Sequence, residues 1–235
     1  PLMDTIWKRN KWGEAVAFNG VDWLAFGSAF KSYSRYQQIG LTKMVNGLWH
    51  TGAQQVLFKL KGDGMCPCCR EQLETTRHVY QCLAPNVVAH RQQEVDKLHG
   101  FMSEWDFSPS ILQNILHGVS EWLASQEDHP DLVSPTRGRA WPLDQLTTRA
   151  FSDQNRIGWL PFLRGHISVY WRHALVYAHL KKDEEAVDFL LKKLVKQLFT
   201  FSLAVWELRN GVLHGVTLEE SRALQLELAH EKLAQ

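Results

Sequence analysis

Apolar side chains recur along this chain at the three-to-four-residue spacing of helices, and nothing alternates with period two for long. Leu41, Met44, Val45, Leu48 and Trp49 predict an amphipathic helix within 31–49, and Val88, Val95, Leu98 and Met102 face inward from another over about 86–102. Ser108-Pro109 is a cap followed by proline at the first helical position. It opens a helix whose Ile111, Leu112, Ile115, Val119, Trp122 and Leu123 form one stripe. Residues 126–142 carry three prolines and Arg137-Gly138-Arg139, and read as a loop or domain boundary. Further helices are expected over about 143–159, 166–181 and 183–210, the last with Val187, Leu190, Leu191, Leu194, Val195 and Leu198 on one face. Gly211 and Gly215 punctuate its end, and Thr217-x2-Glu220 is a capping box for a final helix. Residues 1–30, with Trp7, Trp12 and Trp23, read as an arm or short helices packed on the body.

Composition narrows the function classes. A chain of 235 residues buries most of its unfolded surface without disulfides, and 45% hydrophobic with 22% charged residues excludes wholesale disorder and collagen. Lys and Arg number 26 against 25 Asp and Glu, so the net charge of +1 selects no polyanion by itself. The apolar stretch 186–206 is interrupted by Lys192, Lys193 and Lys196, so no membrane partner is expected. No basic, apolar leader opens the chain, which points to an intracellular protein of the nucleus or cytoplasm.

The strongest chemical signal is the clustering of all four cysteines, Cys66, Cys68, Cys69 and Cys82, where a disulfide framework would spread them. Cys66-x2-Cys69-x8-His78-x3-Cys82 has metal-ligand spacing. A Cys-x2-Cys turn, helped by the fixed dihedral of Pro67, aims two thiolates at one point. His78 and Cys82, four apart, share a helical face, with Thr75 or Thr76 placed to cap that helix. Soft thiolates with one imidazole select zinc, and four protein ligands leave no open position for catalysis. The expected cofactor is therefore one structural Zn2+, with Cys68 competing against Cys69 as the second ligand. The fold class expected is all-α, a helical body with one small embedded zinc knuckle. It divides into an N-terminal arm and helices (1–60), the knuckle (61–84) and an α-helical domain (85–235).

Cys66-Pro67-x-Cys69, Glu74-Thr75 and His78-x3-Cys82 together resemble the zinc-binding domain found after the reverse transcriptase in non-LTR retrotransposons. Upstream, Lys43 and Thr51-Gly52 are similar to a basic helix and Thr-Gly turn of related elements. Downstream, Gln154-x2-Ile157-Gly158-Trp159 and Trp206-x2-Arg209-Asn210-x3-His214-Gly215 look similar to segments of orphan reading frames of that kind. The resemblance implies a role in holding template or target during reverse transcription. No Tyr-x-Asp-Asp motif is present, so the chain is not itself a polymerase. Pro130-Asp131 begins like a restriction-type endonuclease, but Asp144-Gln145-Leu146 lacks the lysine that motif needs. No phosphate loop or nucleophile elbow appears either, and no enzyme is expected.

Charge is unevenly placed: residues 83–133 hold two Lys and Arg against eight Asp and Glu, whereas 1–82 hold ten against six and 134–215 twelve against seven. Lys59, Lys61, Arg70 and Arg77 surround the knuckle, with Tyr80 as a stacking face, and Arg137, Arg139 and Arg164 extend the track. Such basic and aromatic groups bind DNA or RNA, single strands in particular. The alternative is that these arginines pair with the acidic segment and that zinc staples a helical scaffold for a protein partner. Trp49, Trp122, Trp171 and Trp206 lie on apolar helix faces and are expected in the core; Trp141 stays open. His166 and His173 share a face without an acidic partner, so a second metal site is not expected.

Overall fold

The computed structural model describes residues 19–60, 63–127, 129–179 and 184–233. The expectations placed on Trp7, Trp12 and Lys61 lie outside them. The protein is all-α: among the described residues eleven helices form and no strand or sheet does. Two compact units divide the chain, residues 1–49 with 93–202 and residues 50–92 with 203–235.

The first unit contains α1 (Trp23–Lys31), capped by the Asp22 carboxylate accepting from the Ala25 N–H, and α2 (Arg35–Val45), which begins with a Ser34–Gln37 capping box. Helix α2 ends at Val45 because Gly47 takes a positive φ, so Leu48, expected inward, is 56% exposed while Trp49 is buried. The core of this unit is built on α6 (Pro109–Ser125), α7 (Pro142–Ile157), the short α8 (Trp159–Leu163), α9 (Val169–Ala178) and the first part of α10 (Glu184–His214), whose Val187, Leu190, Leu191, Leu194, Val195 and Leu198 are all buried as their spacing predicts. Trp122, Trp159 and Trp171 are fully buried there. A Cβ on Gly118 would stand 2.0 Å from the Trp159 ring, so glycine at 118 is what lets that indole in.

Polar groups inside this unit are paired. The Gln154 carbonyl oxygen accepts from the Ser168 N–H at 2.8 Å and the Trp171 indole at 3.3 Å, and its amide donates to the carbonyls of Gly158 and His166. The run Gln154–Trp159, singled out from the sequence, is thus core architecture. Asn114, Ser134 and Thr136 form a buried hydroxyl–amide network that pins residues 126–141 onto α6 and α7.

His166 stacks on Phe26 at 5.2 Å and meets Trp23 edge-on. Burial, with the Arg164 guanidinium adding to it, lowers its pKa to about 3 from an ordinary 6.5. The unfolded chain therefore takes up a proton below pH 6.5 that the folded chain refuses. Stability is full above pH 6.5 and falls by about 1.4 kcal/mol per pH unit as pH drops toward 3. Urea denaturation at pH 6.5 and 4.5 should show the wild type losing about 2.5 kcal/mol more than His166→Gln. Equal losses would assign acid sensitivity to other groups.

Candidate metal centre

The second unit is built from α3 (Gly52–Leu57), the cysteine turn, α4 (Thr76–Gln81), the start of α5 (Pro85–Glu104), the end of α10 (Glu184–His214) and α11 (Leu218–Leu233). The boundaries between the two units fall within α5 and α10. Val88, expected inward on α5, is partly exposed, whereas Val95, Leu98 and Met102 are buried. The capping box at Thr217 forms, with Glu220 accepting from the Thr217 N–H and Thr217 Oγ1 from the Glu220 N–H.

The cysteine turn closes by short-range hydrogen bonds. Arg70 N–H donates to the Cys66 carbonyl at 2.8 Å and Cys66 N–H to the Gln72 carbonyl at 2.9 Å, with an isolated bridge between Met65 and Leu73. Thr75 caps α4, its Oγ1 accepting from the His78 N–H at 3.0 Å. That cap orients the first turn of α4 so that His78 faces the cysteines. One ligand atom from each of Cys66, Cys69, His78 and Cys82 lies within 4.8 Å of all the others. Cys66 Sγ stands 3.9 Å from Cys82 Sγ, and Cys69 Sγ 3.3 Å from His78 Nε2. Metal–sulfur bonds of about 2.3 Å in a tetrahedron separate two sulfurs by about 3.8 Å, so the donors fit a single ion. Cys68 is outside this set of four; it packs with Cys69 and Leu208 against the apolar cluster of Cys66, Cys82, Ala84 and Val87.

Backbone amides reach two of the sulfurs. Cys69 Sγ accepts from the Glu71 N–H and Cys82 Sγ from the Ala84 N–H, each at 3.5 Å. Hydrogen bonds from Cys68 and Cys82 hold the Cys66 thiol far below its ordinary range, and the same bonds push Cys68 and Cys82 up, with burial adding to both. The buried Arg91 donates from Nη1 to the carbonyls of Tyr80 and Cys82 at 3.0 and 3.1 Å, closing the C-terminal end of α4.

A second set of residues braces the turn and was not read as a unit from the sequence. The Glu74 carboxylate, fully buried, accepts from Arg209 Nε and Nη2, both at 2.6 Å, and from the Gly52 N–H at 2.6 Å. The Arg209 guanidinium also lies 4.8 Å over the Trp206 ring. Residue 52 has no room for a side chain, since a Cβ there would stand 2.3 Å from the Gly64 carbonyl oxygen. Thr51-Gly52, Glu74-Thr75 and Arg209-Asn210, noted separately along the sequence, therefore meet behind the cysteine turn.

The residues read as a nucleic-acid track separate into three groups. Lys59 and Arg70 are exposed in this unit, and Arg137 and Arg139 are exposed on the 126–141 loop of the other. Arg77 is half-buried and engaged within the protein. Arg164 is a correction: it is 2% exposed, with its guanidinium against Gly47, because it caps α8, four of whose five residues are buried. Tyr80 is likewise buried rather than a stacking face. Arg156 pairs with Asp153, and Arg172 with Asp22 and Asp188. Trp141 is exposed, and Trp206 is half-buried. No helix among the described residues is long and apolar enough to cross a membrane.

Compared with known proteins, the chain matches no family model, no curated protein and no solved structure.

Proposed function

We propose that the chain is a nucleic-acid-binding accessory protein of retroelement origin, in which one Zn2+ bound by Cys66, Cys69, His78 and Cys82 fixes the 66–82 turn. The convergence of these four donor atoms within 4.8 Å carries the reading. Three sulfurs and one imidazole nitrogen are the donors zinc prefers, and four protein ligands at one ion leave no coordination position for a substrate, so the ion is structural. When bound, it supplies a rigid cross-link. Lys59 and Arg70, exposed in the same unit, then present cations to phosphate, and Arg137 and Arg139 offer a second group.

A second reading, a metal-stapled helical scaffold for a protein partner, draws on a specific observation: Arg156 and Arg172 are held in ion pairs and Arg164 is in the core, although the partners Asp153, Asp22 and Asp188 all lie outside the acidic 83–133 segment expected to supply them. Elemental analysis of wild type and Cys69→Ser, with fluorescence anisotropy of a short single-stranded oligonucleotide, separates the two. One zinc per chain and salt-sensitive binding, both lost in the variant, are expected. One zinc without binding would select the scaffold, and no zinc would remove both readings.

A further inference from the structure

Helix α5 ends in a Schellman turn at Trp105, Asp106 and Phe107. Phe107 N–H donates to the Met102 carbonyl at 3.0 Å and Asp106 N–H to the Ser103 carbonyl at 3.2 Å, with Asp106 at a φ of +56°. The turn sinks Phe107 into the core and sets Trp105 against Phe189 of α10, their ring centroids 5.4 Å apart. The two rings, with Glu104, Asp106, Ala186 and Leu190, line a cleft of about 350 Å³, within the usual size of small-ligand sites. Every one of these residues belongs to the first unit.

The ring pair already carries a cation of this chain. Lys193 Nζ lies 5.1 Å from the centroid of the Trp105 ring and 5.3 Å from that of Phe189, within cation–π reach of both. Three further features favour positive charge here. Glu104 and Asp106 present exposed carboxylates at the rim. The last turn of α5 has no basic residue to match the partial negative charge of its terminal carbonyls. The surrounding segment 83–133 holds eight Asp and Glu against two Lys and Arg, and both cations are engaged within the protein: Arg91 with the carbonyls of Tyr80 and Cys82, Lys97 with Glu94. Arg156 and Arg172 pair with Asp153, Asp22 and Asp188, all outside that segment.

We infer that this cleft binds the side-chain ammonium of a lysine carried by a basic segment of a partner protein. Trp105 and Phe189 are its aromatic walls, and Glu104 and Asp106 its counter-charges. A primary ammonium on a four-carbon stem is the group the rings already accept from Lys193, so an incoming lysine takes over that position while Lys193 turns to water. A free amine would meet the cleft alone, whereas a basic chain also meets the acidic surroundings of 83–133. A nucleic acid would bring phosphate against two carboxylates. The inference is independent of the metal centre and of the nucleic-acid reading.

The test uses the full chain prepared with zinc and a fluorescein-labelled serine–glycine peptide carrying spaced lysines, beside the same peptide with norleucine, an uncharged isostere, at those positions. The lysine peptide should bind, read by fluorescence anisotropy, and the norleucine peptide should not. Phe189→Leu, which alters a partly exposed ring, and Trp105→Leu should each weaken binding about two- to fivefold. Lys193→Met keeps the stem and removes the competing ammonium, so binding should tighten by about two- to fivefold. Glu104→Gln combined with Asp106→Asn should weaken binding and flatten its salt dependence. No binding of the lysine peptide by the wild type, norleucine binding as tight as lysine, weaker binding in Lys193→Met, or wild-type affinity in Phe189→Leu would each overturn the inference. A free diamine binding as tightly as the peptide would overturn it in favour of a small amine. A single-stranded oligonucleotide whose binding falls in Lys193→Met would overturn it in favour of phosphate.

Discussion

Cys82→Ser is expected to abolish stoichiometric metal binding and to unfold the 63–84 turn, while Cys68→Ser leaves both intact. The contrast follows from geometry, because Cys82 Sγ stands 3.9 Å from Cys66 Sγ within the four-donor cluster and Cys68 is outside it. Cys66, Cys82, Ala84 and Val87 form a small apolar cluster, too little to hold the turn closed against the entropy of ordering it, about 1–2 kcal/mol per residue. Structural zinc contributes about 10–16 kcal/mol in small peptide domains near neutral pH. Losing one of four ligands thus exceeds any margin the unit has. Elemental analysis and hydrogen exchange of the backbone amides check it: protection at His78 and Val79, whose N–H groups bond to Thr75, should vanish in Cys82→Ser and on chelation. Retained protection after chelation would show that the turn folds without metal.

Arg209→Met is expected to destabilise the protein by about 3–5 kcal/mol, since it strands the fully buried Glu74 carboxylate with only the Gly52 N–H as a partner. Glu74→Leu alone should cost a similar amount by stranding the buried guanidinium. Combining the two should recover much of the loss, because a hydrophobic pair of similar size has no charge to desolvate. A double-mutant cycle by urea denaturation at saturating metal measures the coupling. Additive costs would show that each residue acts through packing alone.

Sequence legibility tracked sequence distance. The four donors lie in two local patterns, Cys-x2-Cys and His-x3-Cys, whose geometry follows from a turn and a helical face, and the helical periodicity likewise exposed the all-α class. The Glu74–Arg209 pair spans 135 residues, and no local pattern says that a glutamate beside a cysteine turn meets an arginine on a distant helix. Arg164 read as a surface residue because arginine is seldom buried. The five-residue helix α8 that it caps is too short for a periodic pattern to reveal that four of its residues are buried. Leu48 misled for a different reason: it continues the apolar rhythm of α2 past the point where Gly47 has already turned the chain.

The same 135-residue separation gives the unit a history during synthesis. All four donor residues of the cysteine turn have been made once residue 82 has left the ribosome. Arg209 follows Glu74 by roughly 7–27 s at about 5–20 residues per second. Throughout that interval the Glu74 carboxylate lacks the Arg209 guanidinium, so the turn has its four donors but not its brace. Closing so long a loop adds an entropic barrier that local contacts do not face. A nascent chain stalled before α10 emerges would therefore carry all four donors on a turn whose Glu74 is still unpaired, and completion of that helix supplies Arg209 to close it.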